Sequence, residues 1–97
     1  MLILVTYDVE TLTTEGKQRL RKVAKVCVNY GQRVQNSVFE CVVTPAQNAK
    51  LKIELNNIID QDKDSLRIYY LGKNWQPKVE NLGRKDTYDP ERDTFLF

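Results

Sequence analysis

The sequence has no histidine. Imidazole is thereby excluded both as a general acid or base and as a metal ligand. Cysteine is scarce: Cys27 and Cys41 each lie in an apolar pattern, and no CxxC pair is present. Both read as buried, reduced thiols of a reducing compartment. No apolar run comes near the ~20 residues that a membrane-spanning helix needs. The opening Met-Leu-Ile-Leu-Val carries no basic flank and meets Asp8 too early for a signal peptide. A cytoplasmic protein without membrane contact is the expectation. Also missing are a Gly-rich phosphate loop, a Gly-x-Ser-x-Gly elbow and any Cys cluster for zinc. What remains for chemistry is carboxylates, hydroxyls, cations and a metal that they hold.

Of the 97 residues, 41% are apolar and 29% charged, the balance of one soluble globular domain over 1–97, with 83–97 as a polar C-terminal tail. A domain of this size buries only roughly two-thirds of its unfolded surface, and association is a common remedy for so thin a core. The formal net charge of +2 says little, but its distribution says more. Lys17, Arg19, Arg21, Lys22, Lys25 and Arg33 follow one another with no acid between them. Acids gather instead at Asp60, Asp62 and Asp64, and in the tail at Asp86, Asp89, Glu91 and Asp93. One basic element on a balanced protein suggests a polyanionic partner; a solvated helix face is the plainer alternative.

Leu2 to Thr6 is apolar and β-prone, a buried strand ending at Tyr7-Asp8. Thr11, Thr13 and Thr14 make a polar loop with candidate N-caps. Leu20, Val23, Ala24, Cys27 and Val28 then recur on one helical face, and Gly31 stands where a left-handed C-cap is expected. Lys17, Arg21 and Lys25 follow the i, i+4, i+8 spacing on the outward side, with Lys22 beside them. Residues 33–43 are β-prone but switch parity, which fits either a hairpin turning near Asn36-Ser37 or one bent strand with a bulge. Thr44-Pro45-Ala46-Gln47 opens a second helix with a capping box, and Leu51, Leu55, Ile58 and Ile59 form its apolar face. Ser65 to Leu71 is the next strand, and Lys78 to Leu82 a further short one before Gly83. The order predicts an α+β fold: a ferredoxin-like βαββαβ sandwich with an extra C-terminal strand.

Asp8 stands out among candidate site residues. A carboxylate directly after a buried strand costs desolvation unless it caps a turn, pairs or binds a cation. Capping of the following loop is the plain reading. One carboxylate is a poor magnesium site, but two Asp8 groups meeting on a two-fold axis would share one ion with waters. Asp60-x-Asp62-x-Asp64 has the look of a calcium loop, yet Ser65 and Leu71 stand where that loop needs Gly and Glu. A solvated turn is the expectation there. Tyr7, Tyr30, Tyr69, Tyr70, Tyr88 and Trp75 could stack on bases, but core or edge packing explains most of them.

These residues together resemble the CRISPR-associated protein 2 family. Val5-Thr6-Tyr7-Asp8-Val9 resembles that family's first strand, which ends in a Tyr-Asp pair. Arg19-Leu20-Arg21-Lys22-Val23, and then Tyr30-Gly31-Gln32-Arg33-Val34-Gln35-Asn36-Ser37-Val38-Phe39-Glu40-Cys41, are similar to its most distinctive segment. Asp64-Ser65-Leu66-Arg67-Ile68-Tyr69 is similar to its fourth strand. The resemblance covers nearly the whole chain and is nearest to members from type I-C systems.

The resemblance implies a homodimer whose C-terminal strand, here Lys78 to Leu82, crosses to the partner's sheet. It implies a role in spacer acquisition, bridging two dimers of the CRISPR integrase and supporting duplex DNA. Phe95-Leu96-Phe97 would serve as an anchor on a partner, or as a frayed end. The family's metal aspartate falls on Asp8, with magnesium, or manganese in its place, as cofactor; its neighbouring tyrosine falls on Tyr7. Arg33, Ser37 and Phe39 match positions linked to nuclease activity. Arg19 and Arg21 match the basic helix start across a longer loop, and which of them reaches the site stays open. Two functions follow: a magnesium-dependent endonuclease acting on DNA, RNA or both, or a non-catalytic scaffold gripping duplex DNA through Lys17, Arg19, Arg21, Lys22 and Lys25. A toxin-like messenger-RNA nuclease shares the fold, but the segment around Arg33 to Cys41 argues for the CRISPR branch.

Overall fold

A computed structural model describes residues 1–83. Strand β1 (Leu2–Asp8) leads to helix α1 (Thr14–Val28), the strands β2 (Gly31–Gln35) and β3 (Val38–Val42), helix α2 (Pro45–Ile58) and strand β4 (Ser65–Gly72). The sheet order is β2-β3-β1-β4, and every neighbouring pair is antiparallel. This is the ferredoxin-like βαββαβ arrangement that the hydrophobic periods predict. No helix among the described residues is long and apolar enough to cross a membrane.

Strand alternation decides where the core sits. Ile3, Val5 and Tyr7 of β1 and Phe39 and Cys41 of β3 are buried with Val23 and Cys27 of α1 and Leu51 and Leu55 of α2. Leu66 and Ile68 of β4 pack at its border. Each fully buried Leu, Ile or Phe contributes roughly 1.5–3 kcal/mol relative to exposure. The other parity of β1 (Leu2, Leu4, Thr6 and Asp8) belongs to the helix-free face of the sheet. Cys27 and Cys41 are free, and burial pushes both thiols up to about 12, so they are inert core atoms, as expected.

Both helices begin on threonine. Thr13 Oγ1 accepts from the Gly16 amide at 3.0 Å to open α1. At α2 the full capping box forms: Thr44 Oγ1 accepts from the Gln47 amide at 3.2 Å, and Gln47 Oε1 accepts from the Thr44 amide at 2.9 Å. The parity switch after residue 33 is a hairpin that also carries a bulge. Its turn lies at Asn36-Ser37, while pairing steps from Arg33↔Phe39 to Gln35↔Val38 and leaves Val34 as the extra residue.

One expectation needs correction. Gly31 is not a left-handed cap: α1 ends on Asn29 in right-handed conformation, and Gly31 begins β2 with an ordinary φ. What requires glycine there is space, because a Cβ would lie 2.1 Å from the Glu40 carbonyl oxygen and 2.5 Å from Cys41 Sγ. Lys78–Leu82, expected to cross to a partner's sheet, forms no strand within the single chain. Pro77 has no N–H for a ladder, and Gln76–Lys78 closes a 3₁₀ turn, with Val79 extended beyond it. The tail acids, Tyr88 and Phe95-Leu96-Phe97 lie outside the described residues.

The close approach at Gly31 generates a prediction. Gly31→Ala forces the β2–β3 backbones apart and should lower the unfolding free energy by about 2 kcal/mol or more, read as a fall in the urea midpoint. An unchanged midpoint would show that the hairpin shifts freely enough to admit a methyl group.

Candidate functional site

Strand alternation also splits the Tyr7-Asp8 pair. Tyr7 turns into the core, 6% exposed, while Asp8 is exposed at the strand end. The Tyr7 amide donates to the Ser37 carbonyl at 3.1 Å, which fixes the β2–β3 turn against β1. On the other side Asp8 stands opposite Ser65, the first residue of β4. One end of the sheet thus gathers Tyr7, Asp8, Ser37 and Ser65.

On the helix-facing side Arg33, Phe39 and Tyr7 form a row across three strands. The Arg33 guanidinium lies over the Phe39 ring, 5.3 Å from its centroid, and Phe39 stacks on Tyr7 with centroids 6.3 Å apart at 25°. At an exposed arginine such a contact contributes about 0.5–1 kcal/mol. The Tyr7 hydroxyl is buried without a hydrogen-bond partner among the described residues. Burial, and then the Cys27 thiol, raise its pKa; Arg33, in electrostatic reach but outside hydrogen-bonding geometry, pulls the other way. Tyr7 therefore stays a neutral phenol at neutral pH. Tyr7 and Phe39 shape the wall of this region, whereas Asp8 and Arg33 are exposed to a ligand. By strand parity Arg33 and Asp8 belong to opposite faces of the sheet.

The Asp8 carboxylate has no hydrogen bond or ion pair with any described residue. Capping of the following loop, one reading of Asp8, is done by Glu10 instead. Glu10 Oε1 accepts from the amides of Leu12 and, at 3.0 Å, Thr13; Oε2 accepts from Thr13 Oγ1 at 3.1 Å. The loop is pressed so tightly on α1 that a Cβ at Gly16 would lie 1.9 Å from the Glu10 carbonyl oxygen. Because Asp8 is exposed, the desolvation argument for a bound cation does not apply to it. What marks it is a free carboxylate at the end of a rigid strand.

A second carboxylate, Asp64, is wholly engaged. Its side chain is 0% exposed and accepts from Arg19 Nε at 2.7 Å and Nη2 at 3.3 Å, from the Glu10 amide at 3.0 Å and from the Asp60 amide at 2.8 Å. Arg19 also stands 3.6 Å from Glu10 Oε2. Burial alone would raise the Asp64 carboxyl, but the Arg19 hydrogen bond and charge and the two amides outweigh it and hold it below its ordinary value. The Asp60–Asp64 stretch is therefore not simply a solvated turn: Asp60 Oδ1 accepts from the Asp62 amide at 2.9 Å, and Asp64 locks the segment to α1.

This pairing answers which arginine of α1 is free. Lys17, Arg21, Lys22 and Lys25 are exposed, whereas the Arg19 guanidinium is held by Asp64 and Glu10 and leaves the stripe. The spacing carries the signal: Arg19, Val23 and Cys27 share the i, i+4, i+8 row, and Val23 and Cys27 are 0% exposed. A cation on the buried row of a helix requires a partner. Asp64 itself carries no local signal.

The aspartate's chemistry suits a hard cation, which magnesium binding usually satisfies with one or two carboxylates and several waters. Among the described residues the donor count does not suffice: no group of three His, Cys, Asp or Glu could hold a metal.

Comparison with known proteins falls on this same framework. The family model described as CRISPR associated protein Cas2 matches residues 1–79. The chain belongs to the Cas2 family. A Cas2 of Halalkalibacterium halodurans, named a CRISPR-associated endonuclease, is 59% identical over 97 residues, covering 100% of both chains. A Cas2 of Nitratidesulfovibrio vulgaris, named a CRISPR-associated endoribonuclease, is 59% identical over 91 residues, 94% of this chain and 89% of the relative. The crystal structure of Streptococcus pyogenes Cas2 at pH 6.5 has 64% sequence identity and a TM-score of 0.76, over 86% of this chain and 100% of that one. Two relatives of equal identity thus carry the names endonuclease and endoribonuclease, of which only the second specifies a nucleic acid.

The Asp64 bonds set a pH dependence. A carboxyl lowered in the folded state stabilises the fold above its unfolded pKa, and that stability is lost as pH falls through the lowered folded value. Unfolding midpoints should therefore drop below about pH 4, where ordinary aspartates protonate. Asp64→Asn should be less stable at neutral pH and show a shallower acid slope; an acid slope identical to wild type would remove Asp64 as a source of this dependence.

Proposed function

We propose that this Cas2 protein is a metal-dependent endonuclease in CRISPR spacer acquisition, working as a cytoplasmic homodimer. The observation that carries this reading is Asp8, an exposed carboxylate without a partner, beside Glu10 and Asp64, whose carboxylates are both engaged. The names of the two relatives described above support phosphodiester cleavage as the chemistry.

In this reading Asp8 from each of two copies would hold one magnesium ion, or manganese, with water and substrate phosphate completing the shell. The bound ion would supply Lewis-acid stabilisation of the phosphoryl oxygens and lower the pKa of a water. The chain's own residues do the rest. The hydroxyls of Ser37 and Ser65, at the same sheet end, are placed to donate to phosphate oxygens. Arg21, left exposed while Arg19 is held by Asp64, would meet a flanking phosphate from the outward side of α1. Arg33, on the other sheet face and braced over Phe39, is placed for a flanking phosphate. Tyr7 and Phe39 keep this corner rigid and dry.

The exposed row Lys17, Arg21 and Lys25, with Lys22, favours a second and compatible role. It would grip duplex backbone while the dimer docks integrase dimers, without reading sequence.

The test is cleavage of labelled duplex DNA and single-stranded RNA, with magnesium or EDTA, by wild type and Asp8→Asn side by side. Magnesium-dependent cutting should fall by about a hundredfold or more in the variant. The substrate that is cut names DNA or RNA. Cleavage that persists in clean Asp8→Asn removes the catalytic assignment. If neither substrate is cut while salt-sensitive duplex binding is intact, the scaffold reading stands alone.

For that binding, charge reversal at Lys17, Arg21 and Lys25 should weaken duplex affinity and flatten its dependence on log salt by about 0.9 for each phosphate no longer neutralised. Unaltered affinity would move the binding face elsewhere on the molecule.

A further inference from the structure

The Asp8 carboxylate has no side-chain partner among the described residues, so the backbone on either side of it sets its position. Upstream that backbone is the β1 ladder, paired on both sides by β3 and β4. Downstream, Val9 is buried and the Glu10 amide donates to Asp64 Oδ1 at 3.0 Å. Across the ladder, the residue opposite Asp8 is Ser65, which follows Asp64 directly. Asp64 therefore grips the chain two residues after Asp8 and adjoins its cross-strand neighbour. It is itself immobilised by the Arg19 fork and the Asp60 amide.

We propose that Asp64, clamped by Arg19, is the positioning residue for Asp8: it sets the loop after β1 and the start of β4, and through them the placement of the Asp8 carboxylate. This rests on Asp8 being the carboxylate that holds the metal. Every donor that Asp64 meets is an N–H, so only an acceptor on both oxygens satisfies the site. Asparagine keeps the shape but turns one oxygen into an NH₂ facing donors. The loop then loses its anchor while the strands and the core remain. Residues that orient a metal ligand typically change metal affinity or activity by ten- to a hundredfold when altered.

The experiment titrates manganese ion into isotope-labelled protein and follows paramagnetic broadening of the Asp8 and Val9 amide signals, with deuterium exchange of the Glu10 amide measured in parallel. Asp64→Asn should keep the circular dichroism of wild type, exchange the Glu10 amide faster, and need about tenfold more manganese for half-broadening. Arg19→Lys keeps the charge and part of the hydrogen bonding and should fall between the two. It also carries the test if Asp64→Asn does not fold. Asp8→Asn should abolish the broadening and leave the Glu10 amide protected.

A wild-type manganese midpoint in folded Asp64→Asn overturns the proposal, and so does unaltered Glu10 exchange. Broadening that survives Asp8→Asn instead overturns the assignment of the metal to Asp8, a failure read in a different variant. A residue serving stability alone would lower the unfolding temperature without moving the manganese midpoint of the folded protein.

Discussion

A carboxylate taken fully out of water is tolerated only when its lone pairs are used, and Asp64 uses its own on donors from three separate segments. Arg19 comes from α1, the Glu10 amide from the loop after β1, and the Asp60 amide from the turn that follows α2. That convergence lies at the corner where β4 joins β1. β4 begins one residue after Asp64, so anchoring the side chain also fixes where Ser65 meets β1. An apolar pair of similar volume could fill the same space with little loss of stability, because the charges must first be desolvated. What an apolar pair could not do is hold the Glu10 amide and the Asp60 amide at defined positions. The buried pair is a device for geometry more than for stability.

The same pair divides α1 into two working rows. Lys17, Arg21 and Lys25 stand in water, while Arg19, Val23 and Cys27 run along the buried side. One arginine thus serves the fold, and its neighbour two residues on is left in water. Glu10 completes the arrangement from the loop: it caps α1 through Thr13 and keeps a second negative group near the Arg19 guanidinium. Asp8 is relieved of both tasks. A carboxylate relieved of structural duties at the end of a rigid strand would suit the proposed metal-dependent reaction, because ligation would then break no existing bond.

Local signals are legible in the sequence and distant ones are not. The period of 3.6 places α1 and α2, and the Thr44-Pro45-x-Gln47 start announces a capping box that forms in full. The parity switch between Val34 and Phe39 announces a hairpin or a bulge, and the chain contains both. Gly31 misleads because glycine after a helix usually means a left-handed cap. Here its lack of a side chain is demanded by Glu40 and Cys41, partners about ten residues away that no local pattern reveals. The Lys78–Leu82 strand is absent for a related reason: an edge forms a strand only when another edge pairs with it. Arg19 and Asp64 lie 45 residues apart, so only Arg19's place on the buried row hints that a partner exists.

Asp8 also constrains what has to lie beside it. By alternation it shares a face with Leu4 and Thr6, the face that neither helix covers. Val38 and Tyr69 stand across the ladders from Thr6 and Leu4 on that same face, partly or largely exposed. A ligand to a hard cation at the rim of such a face completes its shell from whatever covers the face. Among the described residues the two acids nearest in the chain and across the ladder are already engaged: Glu10 is bound to Leu12 and Thr13, and Asp64 is sealed beneath Arg19. In the proposed metal site the further donors would be water, a substrate phosphate or a second copy of Asp8. Two such carboxylates repel one another until a cation lies between them. In the proposed arrangement metal binding and closure of the pair would be one equilibrium, and rigidity around Asp8 would set how closely the two groups approach before the ion arrives.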